Sequence, residues 1–307
     1  MAHPLHIATP LLPSATLSTA CGRQVQLKME ALQPPGSFKI RGIGLACQTH
    51  AQAGKRRFVS SSGGNAGLAV AYAGQCLHIP VTVVVPQTTS SHAQALLKQY
   101  GAEVIVHGST WNEANALAQT LLGPQDAFIH PFDDPLLWAG HASMVDEVIT
   151  TGFTPDAVVT AVGGGGLLCG VAQGLAQHDL GHVPIIAAET AGAASLALAM
   201  QTGAPAALDA ITSIATSLGA KQVCARAFAL SQQRPIISHV VKDADAVSAC
   251  LRFLDEHRIL VEPACGAALA AVYAGADLLA PFKQVLLIVC GGATCSLAQL
   301  QGWHATL

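Results

Sequence analysis

Lys39 stands between Phe38 and Ile40 in the stretch Pro34-Pro35-Gly36-Ser37-Phe38-Lys39-Ile40-Arg41-Gly42. Two prolines and a glycine make a turn, and Ser37 is placed to cap the helix that follows. Lys39 then falls in the first helical turn. The positive end of the helix dipole and the apolar neighbours both disfavour an ammonium there. A lysine of lowered pKa is what Schiff-base chemistry requires, because only the neutral amine attacks a carbonyl. An isolated lysine at a helix start is more often a surface residue, so its meaning depends on the other motifs.

Three glycine turns supply them. Gly163-Gly164-Gly165-Gly166 follows an expected strand and opens a helix. Unobstructed backbone N–H groups and the helix dipole make an anion site there, suited to a phosphate. A dinucleotide site is the competing reading. The GxGxxG pattern fails at its third glycine, since its two registers land on Leu168 and Cys169, while Glu189 ends the next strand where a ribose-binding acid would stand. Ser61-Ser62-Gly63-Gly64-Asn65-Ala66-Gly67 offers backbone donors, hydroxyls and an amide, which fits a substrate carboxylate. Cys290-Gly291-Gly292 by itself reads as a buried thiol after a core strand, and Cys295 nearby makes too few ligands for zinc.

Each turn sits at the C-terminal end of an expected strand, where open α/β sheets place their ligands. Strands are expected at 24–30, 58–61, 81–85, 103–106, 127–129, 157–161, 185–189 and 285–289. Helices are expected at 37–53, 68–76, 88–100, 111–122, 136–151, 167–177, 220–230, 243–256 and 265–279. This alternation predicts an α/β fold with two parallel-sheet lobes. The rigid stretch Pro131-Phe132-Asp133-Asp134-Pro135 marks a boundary, giving a small domain at 34–135 inserted in a large one at 1–33 and 136–307.

Composition narrows the function. In 307 residues, 51% are hydrophobic, but the most apolar runs are strand-length and end at Pro or Gly, which argues against membrane spans. A net charge of -3 supplies no basic field for nucleic acid. Nine cysteines without a CxxC pair suggest free thiols in a reducing cytoplasm, thirteen scattered histidines form no zinc spacing, and Met1 to Pro13 shows no secretory signal.

Taken in order, SFKIRG, SSGGNAG, GGGGLLCG, VEPACGAALAAVY and VCGG, with PFDDPLLWAGHAS between, resemble the serine/threonine dehydratase family over nearly the whole chain. The nearer resemblance is to short L-serine dehydratases, which use pyridoxal phosphate and have fold type II (tryptophan synthase β-like). It implies that Lys39 forms the Schiff base, Phe38 packs on the pyridine ring, and Gly163, Gly164, Gly165, Gly166 and Leu167 hold the phosphate. Ser62, Gly63, Asn65 and Ala66 would hold the substrate carboxylate, with Asn65 also near the cofactor's 3′ oxygen and Cys290 facing the pyridine nitrogen. A monovalent cation, usually potassium, would bind Glu189 and carbonyls near Gly163, Ala193, Leu218 and Ala220.

The implied reaction is deamination of L-serine, with L-threonine second, by a cytoplasmic homodimer. Lys39 would act as base, and the cofactor phosphate as acid toward the leaving hydroxyl. β-Replacement of the cysteine-synthase kind, an NAD-binding oxidoreductase and a silent cofactor-binding relative are the alternatives. Gly63 stands where the family's racemases have serine, so racemisation is expected to be minor. Glycine there also predicts a roomier pocket than alanine gives. Ala293-Thr294 replaces the common Ser-Asn, which alters polar support near the ring nitrogen. With the sequence stopping at Leu307, feedback control by isoleucine, as in biosynthetic threonine dehydratases, is not expected.

Overall fold

The computed structural model describes residues 3–307; Met1 and Ala2, at the start of the segment read as carrying no leader, lie outside the described residues. In chain order the elements begin with β1 (Leu11–Pro13), α1 (Ala15–Cys21), β2 (Gln24–Lys28) and α2 (Lys39–Gln52). An alternating run follows: β3 (Arg57–Ser60), α3 (Asn65–Leu77), β4 (Val81–Val85), α4 (Ser91–Gln99), β5 (Glu103–Val106), α5 (Trp111–Thr120) and β6 (Asp126–Phe128). Next come α6 (Pro135–Thr150), β7 (Ala157–Ala161), α7 (Gly166–Gln177), β8 (Ile185–Thr190), α8 (Ser195–Thr202), α9 (Ala225–Gln233) and β9 (Ile236–Val241). The chain closes with α10 (Asp243–His257), α11 (Pro263–Tyr273), β10 (Gln284–Ile288) and α12 (Leu297–Thr306).

The strands make two sheets. One has six strands in the order β1-β2-β10-β7-β8-β9, parallel except for the antiparallel β1; the other has four parallel strands in the order β5-β4-β3-β6. Every residue of β4 (VTVVV) and β7 (AVVTA) is buried, as expected of central strands covered by helices on both faces. The α/β reading with two parallel sheets agrees with this architecture.

Helix α6 packs against both α2 and α7. Asp134 caps it by accepting from Leu136 N–H at 2.7 Å, and Pro135 occupies its first turn, where no N–H is needed. Thus the Pro131–Pro135 break is also a helix start. A side chain at Gly140 would overlap the Arg41 carbonyl, and one at Gly42 would overlap the Leu137 carbonyl, so α2 and α6 approach backbone to backbone.

Several elements differ from expectation. The helix expected at 220–230 starts at Ala225, because the Cys224 N–H is engaged by the Gly164 carbonyl at 3.0 Å. The helix expected at 265–279 spans Pro263–Tyr273. β1, α1, α8, β9 and α12 lie outside the expected elements: the first three are short, and β9 is a half-exposed edge strand. No helix among the described residues is long and apolar enough to cross a membrane.

Candidate active site

The start of α2 is tied to the end of β10. Phe38 N–H donates to the Cys290 carbonyl at 3.1 Å, and Ser37 forms a β-bridge with Gly291. That bridge holds Ser37 one residue ahead of the capping position, so the cap expected of it does not form. Phe38 occupies that position without a side-chain bond, and the Ser37 hydroxyl is buried with no partner among the described residues. Lys39 lies in the first helical turn, as expected, and is its first residue. Its amine donates to the Pro131 carbonyl at 2.6 Å. Burial brings its pKa down from 10.5 to about 8, against the opposing pull of Cys290 and Glu262.

Pro131 connects the amine to the glycine loop. The next residue, Phe132, packs on that loop so closely that a side chain at Gly164 would overlap its ring. A Cβ at Gly166 would lie 2.6 Å from the Phe132 carbonyl oxygen. Gly165 has φ +93°, where side chains are strained, and a Cβ there would lie 2.5 Å from Ala227 Cβ. Only glycine fits this path. Among the described residues, the N–H groups of Gly163, Gly164 and Gly165 donate to no carbonyl, and those of Gly166 and Leu167 begin α7. The loop is a cradle of donors facing an anion's place. Phe132, noted only within a boundary stretch and a family motif, is a site residue to which sequence reasoning gave no role.

The opposite side is built on the first turn of α3. Ser62 Oγ accepts from Gly64 N–H at 3.3 Å, and Ala66 and Asn65 are buried. Asn65 Nδ2 donates to Glu262 Oε1 at 2.7 Å and to Ser217 Oγ at 3.4 Å, while Asn65 Oδ1 accepts from Ala293 N–H at 3.1 Å. The amide is therefore fixed in one orientation. Ser217 in turn lies beside Gly163: a Cβ on that glycine would stand 3.1 Å from the Ser217 carbonyl oxygen. Glu262 precedes Pro263 at the head of α11, yet its carboxyl does not cap that helix. Instead it faces Asn65 and accepts from Thr294 Oγ1 at 3.3 Å, and burial raises its pKa. Sequence reasoning missed Glu262 because Glu before Pro reads as a helix start. Thr294, noted only as a departure, is part of its support.

One expectation is corrected here. The space that a side chain at Gly63 would use is filled by Thr89, whose Cγ2 would be 2.6 Å from an added Cβ, with Val85 Cγ1 at 3.2 Å. Glycine at this position leaves no extra room.

Cys290 is buried, and a hydrogen bond with Cys265, together with burial, holds its thiol well above the ordinary range, so it stays protonated. Glu189 is also buried. Its two carboxylate oxygens accept the N–H groups of Leu196 and Ala197, each at 2.8 Å, at the start of α8. Both oxygens are held at the start of α8, which gives Glu189 a structural place and leaves nothing that singles it out for a ribose. Burial pushes its pKa up to about 7. Of its expected companions, Leu218 adjoins Gly163 and accepts from Ala220 N–H at 2.8 Å, and Ala193 is buried after β8. No hydrogen bond among the described residues joins Glu189 to them.

Residues 3–291 match the family model described as pyridoxal-phosphate dependent enzyme. A mouse protein named "Serine dehydratase-like" is 51% identical, with 98% of this chain and 94% of the relative covered. The human "L-serine dehydratase/L-threonine deaminase" is 49% identical, covering 97% and 94%. The crystal structure of a fungal L-serine ammonia-lyase from Rhizomucor miehei superposes with a TM-score of 0.94 at 35% identity, covering 99% of each chain. The site fits the cofactor that the family name implies: a dry lysine amine suits its aldehyde, and a donor cradle that side chains would fill suits its phosphate. The chain belongs to the pyridoxal-phosphate dependent enzyme family.

Proposed function

We propose that the protein is a lyase that converts L-serine to pyruvate and ammonia, and L-threonine to 2-oxobutanoate. The observation that carries this reading is the desolvated Lys39 amine, placed between the glycine cradle and the Asn65–Glu262 pair. About half of the chain's residues are identical to those of relatives named for these reactions.

Bound at Lys39, pyridoxal phosphate would supply an electron sink for the substrate's Cα. Lys39 then has two tasks in sequence. It holds the cofactor, and once the substrate amine displaces it, it takes the Cα proton as a neutral base. Gly163 to Leu167 hold the phosphate through N–H groups. Phe38 would hold the cofactor ring, and the protonated Cys290 thiol would support its nitrogen without fixing a full positive charge there. Ser62, Gly63, Asn65 and Ala66 bind the substrate carboxylate, with Asn65 oriented by Glu262. Gly63 places no base on the opposite face of Cα, which disfavours racemisation. The site of a potassium ion is assigned to Glu189 with carbonyls at Gly163, Ala193, Leu218 and Ala220. A cation there would restore the charge that burial opposes on Glu189. Residues 34–135 form the small domain and 1–33 with 136–307 the large one. A cytoplasmic homodimer completes the reading, consistent with nine unpaired cysteines among the described residues.

Two measurements test this. L-Serine added to the purified holoprotein should yield pyruvate and ammonia in equal amounts, with a change in the visible absorption band and no D-serine. Faster β-replacement with a sulfide donor than pyruvate release would shift the reaction to the cysteine-synthase kind. Separately, the neutral fraction of Lys39 rises through pH about 8. Borohydride trapping of pyridoxal phosphate on the apoprotein should therefore slow about tenfold for each pH unit below that and level off above it. A tenfold rise per unit that continues beyond pH 9 with no levelling near 8 would mean that the amine is not desolvated.

A further inference from the structure

Cys169, in the first turn of α7, and Cys224, immediately before α9, hold their sulfurs 3.8 Å apart. Neither belongs to the catalytic assembly described above, but both support the phosphate cradle from behind. The Cys224 N–H donates to the Gly164 carbonyl at 3.0 Å, and its sulfur would lie 3.3 Å from a Cβ at Gly165. Cys169 follows the four glycines by three residues, on the helix they open. The Cys224 segment is shallow: Lys221, Gln222, Ala225 and Arg226 around it are exposed. We propose that Cys169 and Cys224 are a redox-responsive thiol pair that closes to a disulfide under peroxide and thereby loosens the cofactor's phosphate cradle.

The chemistry balances with peroxide as the oxidant. The hydrogen bond from Cys169 lowers the Cys224 pKa and raises that of Cys169, so Cys224 is the nucleophile. Its thiolate attacks one peroxide oxygen, breaks the O–O bond and becomes a sulfenic acid, and the departing hydroxide takes a proton to leave as water. The Cys169 thiol then attacks that sulfur and releases the second water. Two thiols lose two electrons, and one peroxide becomes two waters. A disulfide needs sulfurs about 2 Å apart, so the pair must draw together by nearly that much. The movement pulls Cys224 against its bond to Gly164 and disturbs the loop whose path admits only glycine. A dithiol reductant reverses it.

The holoprotein is exposed to hydrogen peroxide, alkylated while folded, and analysed by peptide mass spectrometry and by cofactor release on gel filtration. The expected result is a Cys169–Cys224 linked peptide, lighter by two hydrogens, that appears together with an about tenfold weaker hold on pyridoxal phosphate, or roughly 1.4 kcal/mol. Dithiothreitol should restore both. Cys224→Ser, which places a hydroxyl of similar size at the start of α9, and Cys169→Ala should each fold, retain cofactor and abolish the peroxide-induced release. The exposed Cys76 serves as internal control. Release with both thiols still reduced, release persisting in either variant, or a linked peptide with unchanged cofactor retention would each overturn the proposal. The linked peptide is read independently of the enzyme's reaction, so failure of the switch and failure of the lyase reading are distinguishable.

Discussion

Replacing Lys39 by alanine should lower L-serine turnover by a factor on the order of 10⁴ or more while leaving the protein folded. Two roles disappear with one amine: the covalent anchor of the cofactor and the base for the Cα proton. The fold should tolerate the loss, because the amine makes a single hydrogen bond, to the Pro131 carbonyl, and its own burial disfavours its charge. Borohydride should then fix no pyridoxal phosphate to the chain, while the thermal midpoint stays within a few degrees of the parent. Retention of more than a hundredth of the turnover would require another base, whereas the Cys290 thiol is held well above its ordinary range and the Glu262 oxygens are engaged by Asn65 and Thr294.

Arg41→Met should produce the largest loss of stability. Arg41 is fully buried two residues after Lys39. Its Nε and Nη2 donate to the two oxygens of Glu30 at 2.7 and 2.8 Å. Nη1 and Nη2 donate to the two oxygens of Glu147 at 2.7 Å each, and Nη1 also reaches Ser143 at 2.9 Å. Lys28 pairs with Glu147 and donates to the Thr9 carbonyl at 2.6 Å, so two cations meet two carboxylates. Removing the guanidinium leaves the fully buried Glu30 without its cation and the partly buried Glu147 with Lys28 alone. Breaking such a buried network costs roughly 3–5 kcal/mol. Denaturant titration should show that loss, together with a fall in the thermal midpoint on the order of 10 °C. Replacing Arg41, Glu30 and Glu147 together by apolar residues of similar volume should cost much less, since no charge is then stranded. A single-variant loss below about 1 kcal/mol would mean that water solvates the freed carboxylates.

The sequence made the site's frame legible because each glycine turn follows a strand whose apolar run is local, and local patterns survive in any tertiary setting. Lys39 at a helix start, the strands 81–85, 103–106 and 157–161, and the cradle at 163–166 were all readable in this way. Glu262 was not. Its role depends on Asn65, 197 positions away, and no spacing rule links them. Phe132 and Thr89 were hidden for the same reason: each fills space that a distant or non-adjacent glycine leaves open. Ser37 was misread because a capping residue and a bridging residue share the same local sequence, and only the arrival of Gly291 decides between them.

The order of the six-stranded sheet also bears on how the chain is made. β10 lies between β2 and β7, so the two halves of that sheet meet only through the last strand to be synthesised. At ribosomal rates of about 5–20 residues per second, β2 waits roughly 13–50 s for its parallel partner. The four-stranded sheet, complete once β6 has emerged, needs no later strand and is free to form during that wait. Until β10 arrives, β2 and β7 each present an unpaired edge, the kind of surface that recruits other nascent chains. The interval before the C-terminal strand docks is therefore when this protein most needs a chaperone.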